Sequence, residues 1–201
     1  MSMNVKAWYD KAFLSISALS GSEVALQSRT TNFSKSGGGF DVEGLDTFAG
    51  KITKVGTKED IELSFDGLQV SHQDFDWIEA GQANATTSAF GTGGATISTN
   101  ATTLYRVALL WTNQVGVTSG TQAVTGANEA YRKVYANAYC TSLEPEFEAG
   151  DILKCTIKFK MPFEDENGAQ NWITQSKDTT SGTLSAIAAY TATTGSTGKV
   201  L

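Results

Sequence analysis

The chain opens with alternating apolar and small polar positions. Over residues 12–19, Leu14, Ile16 and Ala18 fall on one side and Ser15 and Ser17 on the other, the period of a half-buried strand. Ser20-Gly21-Ser22 reads as the turn that ends it, and residues 23–33 read as a second, more polar strand. Ser36-Gly37-Gly38-Gly39 interrupts regular structure, so residues 40–49 are expected to form a loop. Further strands are predicted at 51–55 and 59–65. In the latter, Ile61, Leu63 and Phe65 alternate with Glu62, Ser64 and Asp66, the clearest strand signal in this half.

Ser71 as N-cap, Asp74 in the first turn, Phe75 and Ile78 one turn apart and Gly81 as a stop predict one short helix over 71–80. Residues 82–103 are almost entirely Ala, Thr, Ser, Gly and Asn and read as a flexible or edge-exposed segment. Residues 104–112 are apolar enough for a strand covered on both faces, and 113–128 form another Gly/Thr/Ser loop. Residues 131–143 and 152–161 read as a long antiparallel pair, because Leu153, Cys155, Ile157, Phe159 and Met161 alternate with Lys154, Thr156, Lys158 and Lys160. A turn centred between Phe147 and Glu148 makes paired positions sum to 295, which sets Cys140 opposite Cys155. Asn167-Gly168 signals a turn, and 184–190 is a last short apolar element. The sum is a mainly β chain, a sandwich or open barrel with one short flanking α-helix and long loops, forming a single domain over residues 1–201.

Composition narrows the function. Ser and Thr make up 44 of 201 residues, and the apolar share of 40% suits a globular fold. The longest uncharged apolar run, 107–111, is too short to span a bilayer. A net charge of −6 without a basic cluster argues against tight nucleic-acid binding, which needs a basic face. Two cysteines and one histidine, His72, supply neither a disulfide framework nor a metal centre, and a reducing compartment is expected. His72 also has no Gly-x-Ser-x-Gly elbow to serve. The clusters Glu144/Glu146/Glu148/Asp151 and Glu164/Asp165/Glu166 read as solvated turns, and Gly91-Thr92-Gly93-Gly94 lacks the lysine of a phosphate loop. No catalytic residue, cofactor or metal ligand is nominated.

The order of several short pieces is more informative. The run 33–43 (Phe-Ser-Lys-Ser-Gly-Gly-Gly-Phe-Asp-Val-Glu), then Phe48-Ala49-Gly50, then 58–66 (Lys-Glu-Asp-Ile-Glu-Leu-Ser-Phe-Asp) resembles major tail tube proteins of tailed viruses. The likeness continues through 74–81, Tyr131-Arg132, Ala138-Tyr139, 158–162 and 165–171, covering about two thirds of the chain. The resemblance implies a small β-sandwich with one flanking helix, assembled as a ring of six whose inner sheets join into one barrel. It further implies that stacked rings form the tube through which viral DNA is ejected, in a virion tail assembled in host cytoplasm. Partners so implied are other copies of the chain, with tape-measure, tail-terminator and baseplate or tip proteins.

On this basis residues 36–49 are assigned to ring stacking, with Gly37, Gly38 and Gly39 as the hinge and Phe40, Leu45 and Phe48 as apolar contacts. Glu62 and Asp66, opposite the core side of their strand, are assigned to the lumen, where carboxylates repel phosphates. Lys154, Lys158 and Lys160 are expected to be paired with acids or to face outward, since a bare lysine ring would grip DNA. A rival reading is a β-sandwich carbohydrate-binding or adhesion module, motivated by Trp8, Trp77, Trp111 and Trp172 and by the Thr/Ser-rich loops.

Overall fold

The computed structural model describes residues 12–18, 23–28, 32–38, 40–47, 50–69, 104–146, 149–150, 153–164, 168, 170–180 and 182–187. The strands are β1 Ala12–Ala18, β2 Glu23–Ser28, β3 Asn32–Gly37, β4 Phe40–Thr47, β5 Gly50–Lys58, β6 Ile61–Gln69, β7 Leu104–Thr112, β8 Ala130–Glu146, β9 Lys154–Met161 and β10 Trp172–Lys177. No helix occurs among the described residues; the helix expected at 71–80 and the segment 82–103 lie outside them.

Eight strands form one antiparallel sheet in the order β2-β1-β7-β8-β9-β6-β3, with β10 also paired to β8. The sheet curls until β2 packs against β6, giving a half-barrel. At Tyr139 the long β8 has β7 on one edge and β9 on the other, and at Ala130–Tyr135 it has β7 and β10. β9 and β10 are therefore successive pieces of one edge, separated by residues 162–171. β8 absorbs a bulge opposite the Tyr105–Val107 step of β7, where Asn137 takes a left-handed φ of 56°.

The inner face of the curl holds the larger core: Leu14 and Ile16, Ile61, Leu63 and Phe65, Tyr105, Val107 and Leu109, Tyr135, and Cys155, Ile157, Phe159 and Met161. A second core lies on the opposite face, where Phe13, Leu110 and Ala130 are covered by Val117, Val124 and Leu184. β1, expected to be half-buried, is thus buried on both faces, Ser15 and Ser17 included. The cover is residues 113–128, irregular as expected but closely fastened. Ser15 Oγ accepts from the Gly120 amide at 2.7 Å and lies 3.0 Å from Ser119 Oγ, while Val124 and Leu184 exchange main-chain hydrogen bonds of 2.9 Å. A Cβ on Gly120 would come within 2.5 Å of the Ala108 carbonyl oxygen and 2.9 Å of that of Phe13, so the cover lies this close to the sheet only as glycine.

Several expectations need correction. Residues 23–33 are not one strand: β2 pairs with β1, and β3 pairs with β6 at the far edge of the sheet. The loop expected at 40–49 is largely strand, because 40–47 pairs with 50–58 as a separate two-stranded sheet with Glu43 opposite Lys54 and Asp46 opposite Lys51. The β8–β9 hairpin exists, but its register sets Cys140 opposite Phe159 and Cys155 opposite Pro145. Pairs therefore sum to 299 or 300 rather than 295, and among the described residues of the turn Gly150 takes a left-handed φ of 89°. Both cysteines are free thiols. Leu184 of the expected short apolar element makes an isolated bridge to Val124, residues 188–190 lie outside the described residues, and a strand that was not expected, β10, precedes it.

Candidate functional site

Three features of the fold bear on function: the sheet edges, the projecting hairpin and the charged face of β6 and β9. Among the described residues, no strand pairs with the outer edge of β2 or of β3. Unpaired N–H and C=O groups along such edges are templates for another chain.

The β4–β5 hairpin makes its extensive strand contacts only within itself. It leaves the sheet where β3 ends, at Gly37 (φ 76°) and Gly38 (φ 77°), and returns through Glu59 and Asp60 into β6. Of the residues assigned to stacking, Gly37 and Gly38 form this corner. Phe40 and Leu45 lie in β4 opposite Lys58 and Ile52, and Gly39 and Phe48 lie outside the described residues.

The outward side of β6 and β9 carries Glu62 opposite Lys160 and Ser64 opposite Lys158. Lys160 Nζ lies 3.4 Å from Asp60 Oδ2 and 4.0 Å from Glu62 Oε1, and Lys158 Nζ lies 3.1 Å from Glu144 Oε1. Asp66 Oδ1 accepts a 3.0 Å hydrogen bond from Ser64 Oγ. The lysines at 158 and 160 are therefore paired across strands, as expected. Ser142 Oγ donates to Glu144 Oε1 at 2.6 Å; that bond, followed by Lys158, holds the Glu144 carboxyl below the ordinary range. These pairs are about half exposed and solvent-screened, so they add little to stability and their main effect is on the sign of the surface field. Ser34, Ser36, Ser64 and Thr141 line a shallow groove between the charges. The face is thus neither a bare lysine track nor a bare acidic one.

Little in the sequence marks the cations that fasten the cover. Arg132, fully buried, donates from Nε to Gln175 Oε1 (2.8 Å), from Nη1 to the carbonyls of Thr121 (3.2 Å) and Gln122 (3.1 Å), and from Nη2 to that of Ser185 (2.6 Å). Burial and then the nearby Arg106 lower its pKa to about 10. Lys177 Nζ similarly donates to the carbonyls of Gly126, Asn128 and Asp178. Arg132 shares an alternating face with the apolar Val134, which is the one signal that could have marked it as buried.

Trp111 packs against Phe33 and Tyr131, and Trp172 against Phe163, so these two form no open stacking platform; Trp8, Trp77 and His72 lie outside the described residues. Among the described residues no group of His, Cys, Asp and Glu is arranged to hold a metal, and no helix is long and apolar enough to cross a membrane.

No protein-family model and no curated protein matches the sequence. Among solved structures, the chain is similar to a chain of the sheath-tube complex of the extracellular contractile injection system PVC in its extended state. That match has 17% identity and a TM-score of 0.45 and covers 87% of this chain and 95% of the other. A chain of the six-fold symmetrised baseplate of the anti-feeding prophage matches at 8% identity and a TM-score of 0.49, over 89% and 99% of the two chains. An Hcp protein matches at 9% identity and 0.36, over 85% and 99%. The similar structures are thus an Hcp protein and components of contractile injection systems. At these identities and TM-scores the likeness is one of overall chain course and assigns no role to any residue.

Proposed function

We propose that the chain is a structural tube subunit whose copies join edge to edge into a ring of six, with rings stacked into a tail tube that conducts viral DNA. The observation that carries this reading is a curled antiparallel sheet whose β2 and β3 edges have no partner strand among the described residues, with a separate two-stranded hairpin beside it. Joining β2 of one copy to β3 of the next uses both edges at once, and a head-to-tail contact of that kind forms a ring when its rotation divides a full turn, here into six. The sequence resemblance to tail tube proteins points the same way. In this reading Glu62 and Asp66 face the channel, and the pairing of Lys158 and Lys160 with acids keeps them from holding phosphates by counterion release. The hairpin meets the adjacent ring; terminator, tape-measure and baseplate proteins contact the tube ends and lumen; and the protein resides in the virion tail after assembly in host cytoplasm. No catalytic role is assigned.

Sedimentation velocity of the purified chain over a wide concentration and salt range tests the reading. Growth from single subunits to a six-subunit species and then to larger particles is expected. A monomer at every condition that also binds glycans contradicts it and favours the adhesion module.

A further inference from the structure

A run of three glycines reads as a free hinge when met in a sequence. In the folded chain two of the three are held. β3 ends at Gly37, which is paired with Ile61, and the other leg of the hairpin enters β6 through Asp60, so both legs leave the sheet at one point. A Cβ on Gly37 would run into the main-chain carbonyl oxygen of Asp60, and its φ of 76° lies where glycine is favoured. One residue on, a Cβ on Gly38 would lie 3.3 Å from the Phe163 ring and 3.4 Å from Ile61 Cγ1, close but compatible with small adjustments. The Asp60 carboxylate lies 3.4 Å from Lys160 of β9. The crossing is thus supported from β6, from β9 and from Phe163 in the excursion that follows β9.

We propose that the crossing of Gly37 over Asp60, backed by Phe163, is a fixed corner that sets the direction in which the β4–β5 hairpin leaves the sheet. Gly37 and Phe163 are then positioning residues for the hairpin's contact with the next ring, a role that rests on the tube reading. A hairpin that swung freely would lose orientational entropy on every stacking event. A corner fixed in the subunit removes that cost beforehand.

The test compares Gly37→Asn with Gly38→Asn. Asn tolerates positive φ, so the pair separates the close crossing from the backbone angle. Residual dipolar couplings are measured on the full chain where sedimentation finds it unassembled. In the wild type, amides of β4 and β5 should fit the same alignment tensor as those of β6 and β9. G38N should keep that fit, whereas G37N should reduce the hairpin couplings at least twofold and leave those of β6 and β9 unchanged. If G37N does not fold, Phe163→Ala should show the same selective loss, with Phe163→Leu restoring most of it. Hairpin couplings already averaged in the wild type, or unchanged in G37N or, where G37N does not fold, in F163A, overturn the corner. Where the protein is always assembled, negative-stain microscopy decides: G38N should form tubes and G37N rings without tubes, and wild-type tube lengths in G37N overturn the proposal. A wild type that forms no rings contradicts the tube reading but leaves the couplings to decide the corner.

Discussion

Arg132 Nη2 donates a 2.6 Å hydrogen bond to the carbonyl oxygen of Ser185, tying the centre of the sheet to a segment fifty-three residues downstream. Its other donors reach Thr121, Gln122 and Gln175, so one buried guanidinium joins β8, β10 and both covering segments. Replacing Arg132 by Met should destabilise the subunit by about 3 kcal/mol, because the orphaned buried acceptors lose their donors together. Urea unfolding measures this. Hydrogen exchange in R132M should rise first in residues 117–124.

Gly120→Ala should cost about 2 kcal/mol, since its Cβ would press on the carbonyls of Ala108 and Phe13, which belong to paired strands and cannot yield without disturbing the ladder. The same urea experiment checks it, and the loss should be accompanied by faster exchange of the cover rather than of β6 and β9.

The Tyr135 hydroxyl is buried and has no hydrogen-bond partner among the described residues. Tyr135→Phe removes that cost while keeping the ring near Phe33, and should raise stability by about 1 kcal/mol. A thermal melt showing a clear loss contradicts this assignment.

Stability should fall as pH rises past about 10. Burial pushes the hydroxyls of Tyr105 and Tyr135 above the ordinary phenol range, with lesser help from Cys140 and Tyr131 respectively. A folded pKa above the unfolded one contributes stability that is whole below the unfolded value and lost as pH climbs beyond it. Arg132 acts oppositely: burial holds its folded pKa at about 10, below the ordinary guanidinium value, so its burial penalty is relieved as pH climbs past that point. Two phenols against one guanidinium leave a net decline. In an ultraviolet titration, at least two of the six tyrosines should ionise only as the protein unfolds.

Cys140 is half-buried and Cys155 buried, and they face Phe159 and Pro145 rather than each other. Mild oxidation should therefore give no intramolecular disulfide, and a small alkylating reagent should modify Cys140 first. Mass spectrometry of the time course reads both outcomes.

The parts of the fold legible in the sequence are those where one face is uniformly apolar. Ile61, Leu63 and Phe65 identified β6, and 104–112 read directly as a strand covered on both sides because all of it but Leu104 and Trp111 is buried. The β8–β9 pair was legible, but its register depended on which residue takes the left-handed turn, and Gly150 does so several residues after the expected centre. The hairpin at 40–58 was half missed because Gly44 and a bulge beside Phe40 break its alternation. β10 was missed because its buried end is Lys177, whose ammonium is satisfied by three carbonyls brought in from elsewhere in the chain. For the candidate site, Glu62 and the paired lysines followed from strand parity alone. Asp60 and Phe163 at the corner did not, since only the tertiary crossing brings them to Gly37 and Gly38.

Cryo-electron microscopy of the purified full-length protein at high concentration tests the tube assignment most directly. The account predicts rings of six subunits with β2 of one copy paired to β3 of the next, stacked through the 40–58 hairpin, with Glu62 and Asp66 lining the channel. Isolated subunits at every concentration, or an assembly in which β2 and β3 stay unpaired and both carboxylates lie on the outer surface, would contradict it.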